Sequence, residues 1–546
     1  MDNLRIFAGI VFAVSVFLLV EAWVREQQPQ PGPAPAPTRP AVSSPPQSTP
    51  PRPGEPPPVA GIVAKPAAPT KPITVKTDLL IAEIDPLGGV LRRLELLQHR
   101  DTLDKTKNFV LFEQSAERTY MAQTGLIGPG LPNHTTPYRA SAESYELHPG
   151  EDRLVVTLAA ETGDASVVQR YTFHRASYLV DIEYELRNRG SAPLQPYAYF
   201  QLLRDSKPPA GDSKMVPTFT GAAVYTEVSK FKKVAFGDMD KGKVDYPKQA
   251  DNGWAAIVQH YFVAAWLPGK GVVREFFTRA LGGDLYAVGV ILPVGEIAPG
   301  AAAKVGAPLY AGPQEQDKLA KLAPGLDLTV DYGWLTIIAV PMFWLLAAIH
   351  RWVGNWGVAI IILTVVIKLL FYPLSAASYK SMAKMRVLAP KLQKLKELYG
   401  DDRQRMHQAM VELYKTEKIN PLGGCLPILV QIPFFIALYW VLLASVELRH
   451  APFVWWITDL SAKDPYYVLP VLMGLSMIVQ TRMNPEPPDP VQAKVMKIMP
   501  IVFSVFFFFF PAGLVLYWLV NNLLSIAQQW QITRAIERAK PADAAR

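Results

Sequence analysis

Apolar and polar positions divide the chain into stretches of different periodicity, and the first stretch is almost wholly apolar. Residues 1–25 contain an apolar run about as long as the roughly 20 residues that cross a bilayer as a helix. No small-x-small cleavage motif follows this run directly, which favours an uncleaved transmembrane signal anchor over a cleaved signal peptide. Residues 26–72 are rich in proline and predict an extended linker, with a ligand for a proline-binding module as the alternative.

Residues 73–325 alternate between apolar and polar side chains with a period of two, which is typical of half-buried strands. In 179–189 the apolar side chains share one face: Val180, Ile182, Tyr184 and Leu186. Similar runs occupy 79–85, 153–161, 167–175 and 285–293. Glycine and proline turn signals separate the runs, so the region predicts an antiparallel β-sandwich or barrel, large enough to bury its own core.

The chain is apolar again from residue 332 onward. Residues 332–351 contain Pro341 and end in basic residues, which predicts an amphipathic helix lying along the membrane surface. Residues 355–532 predict a bundle of five transmembrane helices, at about 356–374, 422–445, 466–480, 498–510 and 514–528. Pro511 and Gly513 beside a run of phenylalanines predict a tight turn between the last two helices. With the N-terminal anchor, the chain would cross the membrane six times as an all-α polytopic bundle.

Lysine and arginine are unevenly distributed among the connecting segments. Residues 377–420 carry ten of them, whereas 446–465 carry two. The positive-inside rule therefore places 377–420, both termini and the tail 533–546 in the cytoplasm. The linker and the β-domain are then periplasmic, and the protein is a multi-pass component of the cell inner membrane.

The cytoplasmic segment 377–420 predicts a helical hairpin. A first helix would run as far as Gly400. The segment Gly400, Asp401 and Asp402 would end that helix and cap the next one, which is basic and returns toward the membrane. Its apolar stripe includes methionines and would hold the two helices together. The hairpin would in addition offer a flexible basic surface to apolar clients.

Composition narrows the function classes. The chain has 546 residues with a net charge of +8, which is mild for this length and does not suggest a nucleic-acid-binding protein. Hydrophobic residues make up 50% and charged residues 19%, which excludes a wholly disordered chain and an ordinary soluble enzyme. The lone Cys425 excludes an intrachain disulfide and a cysteine-based zinc site.

Lys368 is the chemical outlier, because it lies inside a predicted transmembrane helix that contains no carboxylate. A lysine at such a depth costs about 2.5–3.5 kcal/mol, so a functional role is favoured over snorkelling to the headgroups. Thr364 lies four residues earlier on the same helix face. Other helices contribute neutral polar groups that could line a wet cavity with it: Gln431, Ser504, Asn521, Asn522 and Ser525. For each neutral group taken alone, an ordinary interhelical hydrogen bond is the better interpretation.

Several segments carry a family resemblance: 253–268, 373–386, 420–442, 447–474 and 511–529. Together they resemble the YidC/Oxa/Alb family of membrane protein insertases, in its Gram-negative branch, over essentially the whole chain. The resemblance implies a five-helix groove open to the cytoplasm and the lipid, with Lys368 at a position that is often arginine. It also implicates Thr364 and the pair Tyr517 and Trp518, where many members have two tyrosines. We expect Gln431 to join these residues in contacting the client. The β-domain would be a β-supersandwich related to sugar-binding folds.

The resemblance predicts a membrane protein insertase and chaperone that is not an enzyme and needs no cofactor. Its partners would be nascent integral membrane proteins, the Sec translocon, membrane lipid and, weakly, the ribosome through the basic hairpin and tail. Two other classes stay open at this point. A secondary transporter would need intramembrane carboxylates, which the five predicted helices of 355–532 lack. A membrane-anchored periplasmic sugar-binding or sugar-modifying protein would need an acidic pair, and no spacing in 73–325 singles one out.

Overall fold

The computed structural model describes residues 71–209, 218–243, 245–400, 402–417, 426–484 and 490–539. The predicted signal anchor, nearly all of the linker, Cys425 and the last residues of the tail lie outside this part of the chain.

The N-terminal part of the described chain consists of strands. They are β1 (Ile73–Lys76), β2 (Leu80–Asp85), β3 (Val90–Arg100), β4 (Asn108–Gln114), β5 (Thr119–Ile127), β6 (Arg139–Ala140), β7 (Ser144–Glu146), β8 (Arg153–Thr162), β9 (Ala165–His174), β10 (Leu179–Asn188), β11 (Tyr197–Asp205), β12 (Gly221–Thr226), β13 (Lys230–Val234), β14 (Gln249–Ala250), β15 (Trp254–Gln259), β16 (Phe262–Trp266), β17 (Arg274–Gly282), β18 (Leu285–Pro293) and β19 (Ala302–Pro313).

These strands form two sheets. One has the order β14-β17-β18-β11-β5-β4-β3-β2-β1-β7, and the other has the order β13-β12-β15-β16-β19-β10-β9-β8-β6. Neighbours are antiparallel except β1 and β7, which pair in parallel. Both sheets keep open edges among the described residues, so the domain is a sandwich rather than a barrel. Leu94 of the first sheet and Val156 of the second are fully buried in one shared core.

The period-two runs are confirmed as strands. Run 179–189 forms β10, in which Val180 and its alternate neighbours are buried while Asp181 and its neighbours are not. The other four runs form β2, β8, β9 and β18. Alternation locates strands reliably because successive side chains of an extended chain point to opposite faces.

All but one of the described helices come after the last strand of the sandwich. They are α1 (Phe236–Asp240), α2 (Gln316–Leu322), α3 (Thr336–Val353), α4 (Trp356–Leu370), α5 (Tyr372–Tyr399), α6 (Arg403–Thr416), α7 (Leu426–Ala444), α8 (Val468–Met483), α9 (Pro490–Phe507) and α10 (Ala512–Ala539). A second hydrophobic core gathers buried side chains from six of these helices: Leu346, Leu363, Leu438, Met473, Phe507 and Val515.

Length and composition qualify few of these helices as membrane spans. Among the described residues, Gly333–Val353 alone is long and apolar enough to cross a bilayer by itself. The helix that we expected to lie along the surface is therefore the one able to span, and Pro341 lies inside it without interrupting it. Helix α4 and the start of α5 qualify only as a pair, bent by 66°. The apolar parts of α7 and α8 are shorter, so length does not establish the predicted count of five spans.

The boundary between the predicted first span and the hairpin needs correction. Helix α4 ends at Leu370, and residues 372–374, predicted to complete that span, begin α5 instead. The physical reason is Pro373, which fits the first turn of a helix because its missing N–H is not needed there. At the other end, α10 continues to Ala539, so residues 533–539 of the predicted tail are helical.

Two predicted turns are confirmed. The side chain of Asp402 caps α6 by accepting hydrogen bonds from the backbone N–H groups of Gln404 and Arg405, at 3.1 and 3.0 Å. Helix α9 also ends at Phe507 and α10 begins at Ala512, so a turn that contains Pro511 separates the two helices. Local residue chemistry decided both turns.

Candidate functional site

Three helices bring polar side chains to a buried cavity within the helical core. Lys368 and Thr364 lie one turn apart on α4, and their side chains are 7% and 1% exposed. Helix α7 contributes Gln431, and α10 contributes Tyr517 and Asn521. The space not filled by atoms is about 270 Å³, including the part open to solvent, and apolar residues complete its wall: Ile367, Phe434 and Phe435. Four of the five predicted contact residues therefore line one cavity.

The ammonium of Lys368 has a neutral partner. Its Nζ donates a hydrogen bond to Oγ of Ser525 on α10, at 2.7 Å. Ser525 Oγ in turn donates to the backbone oxygen of Asn521, also at 2.7 Å. Within the described chain, no carboxylate lies at ion-pair distance from Lys368. The cavity therefore holds a cation whose charge no described acidic group neutralises.

Thr364 and Gln431 also form hydrogen bonds within the protein itself. Thr364 Oγ1 donates to the backbone oxygen of Ile360 in the turn before it, at 2.7 Å. Gln431 Nε2 donates to Ser375 Oγ on α5, at 3.3 Å. Both contacts are of the ordinary structural kind that we weighed against a functional role for each neutral group.

The aromatic pair on α10 is divided between two environments. Tyr517 is 2% exposed and faces the cavity. Trp518 does not line it, and its ring stacks on Phe435, with centroids 5.5 Å apart and planes at 14°. Because consecutive residues of a helix point about 100° apart, only one of the two can face the cavity. Trp518 therefore supports the cavity wall through Phe435 instead of forming it.

Sequence reasoning left Asn521 and Ser525 out of the predicted contact set, although a signal was present. Tyr517, Asn521 and Ser525 recur every four residues, so they share one face of α10. Two other polar residues of the predicted wet cavity, Asn522 on α10 and Ser504 on α9, bond elsewhere. Asn522 Nδ2 donates to Ser476 Oγ of α8 at 3.3 Å, and Ser504 Oγ donates to the backbone oxygen of Pro470 at 2.9 Å. The three apolar residues of the wall gave no distinguishing signal.

The chemistry available in this cavity is attraction rather than bond making. One ammonium faces aromatic rings and neutral amide and hydroxyl groups, and its described lining contains neither a carboxylate nor a histidine. Such a site can hold an anionic group of a bound molecule, because charge-assisted hydrogen bonds are strong where water is scarce.

The described chain thus combines a β-sandwich with apolar helices around a buried cation. Comparisons with known proteins assign these two parts to an inner membrane protein with a periplasmic domain. Residues 72–345 match the family model of the YidC periplasmic domain, and residues 348–540 match that of the 60Kd inner membrane protein. The chain is 56% identical over 556 residues to the membrane protein insertase YidC of Nitrosospira multiformis, covering 98% of each chain. It is also 56% identical over 549 residues to the membrane protein insertase YidC of Methylobacillus flagellatus, covering 99% of this chain and 98% of that one.

Among solved structures, the chain is similar to a crystal structure of an active YidC insertase with its first transmembrane domain resolved. The TM-score is 0.39 at 18% sequence identity, and the match covers 84% of this chain and 92% of that chain. From the sequence relatives and the two family models, the chain belongs to the YidC family of membrane protein insertases. This membership favours the insertase interpretation over the transporter and the sugar-modifying protein.

Proposed function

We propose that the chain inserts newly made integral membrane proteins into the inner membrane and assists their folding, with the cavity around Lys368 as a polar intermediate station. The observation that carries this proposal is the buried ammonium, which lines the cavity and has only a neutral partner, Ser525, among the described residues. A buried lysine is costly in a membrane, so its retention favours a use for the charge.

The proposed mechanism uses electrostatics and burial without a bound nucleotide. A client presents a hydrophobic helix and a short polar segment that must cross. An acidic residue of that segment exchanges its water for the ammonium of Lys368. An inside-negative membrane potential favours outward movement of each negative charge by about 2.3 kcal/mol per 100 mV. Transfer of the client's apolar helix into lipid then completes the reaction downhill.

The lengths of two core helices support a shortened path across the membrane. Helix α4 has 15 residues and α8 has 16, which corresponds to about 22 and 24 Å at 1.5 Å per residue, whereas α7, α9 and α10 are longer. The hydrocarbon core of a bilayer is about 30 Å thick, so short helices of this kind are accommodated by local thinning. A thinner bilayer beside a polar cavity lowers the barrier for a polar segment.

The arrangement in the membrane belongs to the same proposal. Residues 73–325 lie in the periplasm, and 355–532 form the five-helix core. Helix α3 is long enough to span, but a spanning α3 would put the basic segment 377–420 in the periplasm, so α3 lies along the periplasmic surface. The signal anchor 1–25 and the tail 533–546 place both termini in the cytoplasm. The support is the concentration of lysine and arginine in 377–420.

The partners in this proposal follow from exposed chemistry. The α5–α6 hairpin displays basic side chains, including Lys391, which is 61% exposed and pairs with Glu417 at 2.6 Å. A basic surface of this kind approaches ribosomal RNA by non-specific attraction to phosphates. The Sec translocon and membrane lipid are the remaining partners, and the clients are nascent integral membrane proteins.

Site-specific photocrosslinking tests the proposal. A photoreactive amino acid replaces Gln431, which lines the cavity, or Trp518, which stands behind its wall. Ribosome-stalled nascent membrane proteins should crosslink strongly from position 431 and less from 518. The control position is Val228, which is 88% exposed on the β-domain. Crosslinking from 431 no stronger than from 228 would refute the cavity as a client station.

A further inference from the structure

A second and larger cavity lies where the β-sandwich meets the segment between α7 and α8. It holds about 1170 Å³ of space not filled by atoms. The sandwich contributes Phe109 and Phe262, the connecting segment contributes Arg449 and Lys463, and the turn after α9 contributes Phe509. The lining therefore combines cationic side chains with aromatic rings of the sandwich and of the helical part.

Arg449 is the most constrained cation in this cavity. Its side chain is 9% exposed, and its guanidinium lies over the rings of Phe109 and Phe262, at 5.1 and 5.4 Å from their centroids. Nη2 donates to the backbone oxygen of Arg100 at 2.6 Å and to Thr102 Oγ1 at 3.1 Å. Among the described residues, Nη1 is buried and has no hydrogen-bond partner. A buried N–H without an acceptor is costly, so a small movement of the side chain that let a ligand accept from it would recover that free energy.

Among the described residues that line the cavity, the one carboxylate already has hydrogen-bond partners. Asp459 accepts from Lys105 Nζ at 3.2 Å, from His450 Nδ1 at 3.0 Å and from Ser461 Oγ at 2.7 Å. Burial opposes ionisation of this carboxyl, but the hydrogen bonds from His450 and Ser461 and the charge of Lys105 hold the pKa of Asp459 well below its usual range. Asp459 is therefore anionic, and its charge interacts with Lys105 and His450.

Lys463 remains as a second cation without an acidic partner. Its side chain is exposed, and Nζ lies 5.4 Å from the ring centroid of Phe509. In the described chain, no carboxylate lies at ion-pair distance from either Lys463 or Arg449. The cavity thus combines two cations that form no ion pair among the described residues with an aromatic and aliphatic wall, which is a surface for an amphipathic anion.

We propose that this cavity binds the phosphate group of an anionic phospholipid headgroup, with Arg449 and Lys463 as its donors and Phe509 beside its acyl chains. The guanidinium suits a phosphate because its planar fork presents N–H groups in pairs. Basic pockets beside apolar helices bind lipid headgroups for the same reason. A soluble phosphate would use the cations equally but would gain nothing from the apolar wall. The assignment of the lipid to the periplasmic leaflet rests on the proposed orientation. The recognition of a phosphate by Arg449 and Lys463 does not depend on that orientation.

Calorimetric titration of the full-length protein in a neutral detergent tests this site. The probes are short-chain phosphatidylglycerol, glycerol phosphate and inorganic phosphate. Phosphatidylglycerol should bind saturably at one site, and the two soluble phosphates should bind at least tenfold more weakly. Lys463→Gln should weaken phosphatidylglycerol binding about fivefold, and Arg449→Gln should weaken it more than tenfold. Lys241→Gln changes an exposed lysine of the sandwich and should leave binding unchanged.

The outcomes separate the lipid source from the site itself. Equal affinity for inorganic phosphate and phosphatidylglycerol would overturn the lipid assignment. Unchanged phosphatidylglycerol binding in Lys463→Gln would overturn the site, and this exposed residue decides the matter even where Arg449→Gln fails to fold. Insertion of clients by the same variants is measured separately in proteoliposomes. Loss of lipid binding with normal insertion would support the site while leaving the proposed function intact.

Discussion

Lys368 on α4 and Ser525 on α10 share a hydrogen bond of 2.7 Å, although 157 positions separate them in the sequence. The acceptor is a neutral hydroxyl, so the bond holds the ammonium in place without cancelling its charge. Ser525 also donates back to its own helix, which fixes the acceptor lone pairs toward the lysine. Substitutions of Lys368 therefore test the charge itself, and substitutions of Ser525 test what holds the charge in place.

Reversing the charge should impair insertion of clients with acidic leaders. Lys368→Glu replaces attraction by repulsion, and we expect at least a tenfold lower insertion yield, whereas Lys368→Arg keeps the charge and should retain most of the yield. Insertion into proteoliposomes measures this, with a client whose leader lacks acidic residues as the control. Equal yields from the two variants would remove the charge from the mechanism.

Removing the acceptor should cost stability. Ser525→Ala leaves the buried ammonium of Lys368 without the hydroxyl, and we expect the free energy of unfolding to fall by about 1–3 kcal/mol. Denaturant unfolding of the detergent-solubilised protein measures the change. Thr364→Val is the matched control, because Thr364 bonds only the backbone oxygen of its own helix in the described contacts. A smaller loss in Ser525→Ala than in Thr364→Val would show that the interhelical bond contributes nothing.

A single glycine should prove necessary for the sandwich. A Cβ at Gly289 in β18 would lie 2.2 Å from the backbone oxygen of Phe200 in the paired strand β11. Gly289→Ala should therefore lower the free energy of unfolding by about 2 kcal/mol or more, since two backbones must separate. In contrast, a Cβ at Gly237 in α1 meets open space, and Gly237→Ala should be neutral or stabilising. Thermal unfolding that ranks the two variants in the opposite order would contradict this packing.

The sandwich should lose stability in mild acid because of His99. Burial, with the positive charges of Arg449, His450 and Lys318, lowers the pKa of His99 from 6.5 to about 4. The folded state thus binds fewer protons than the unfolded state between these values. The contribution of His99 to the free energy of unfolding is therefore complete above pH 6.5. It declines as the pH falls toward 4, by up to about 3 kcal/mol.

The pH dependence of unfolding measures this contribution. His99→Gln should flatten the profile between pH 6.5 and 4, while His148→Gln, at an exposed histidine of the same domain, should not. A profile for His99→Gln that follows the unsubstituted protein would assign the acid sensitivity to other groups.

The cavity around Lys368 shows which features residue patterns can predict and which they cannot. Lys368 stood out because a charge in an apolar run is visible without any partner. Its bond to Ser525 was not predictable, since many polar residues on other helices were equally available. The division of Tyr517 from Trp518 follows from helix rotation, which is set by packing against Phe435. The end of α4 at Leu370 likewise depends on a bend that apolar composition alone does not reveal.

The sequence by itself determined the features that arise from neighbouring residues. These are the strands of the sandwich, the apolar helices, the cap at Asp402 and the isolated cation at Lys368. Tertiary structure alone decided the order of strands, such as the parallel pairing of β1 with β7, and the seating of Arg449 on the backbone oxygen of Arg100. The reason is physical: periodicity and capping depend on spacings of two to four residues. Contacts between distant segments depend instead on which of many similar surfaces pack together with the fewest voids and unpaired groups.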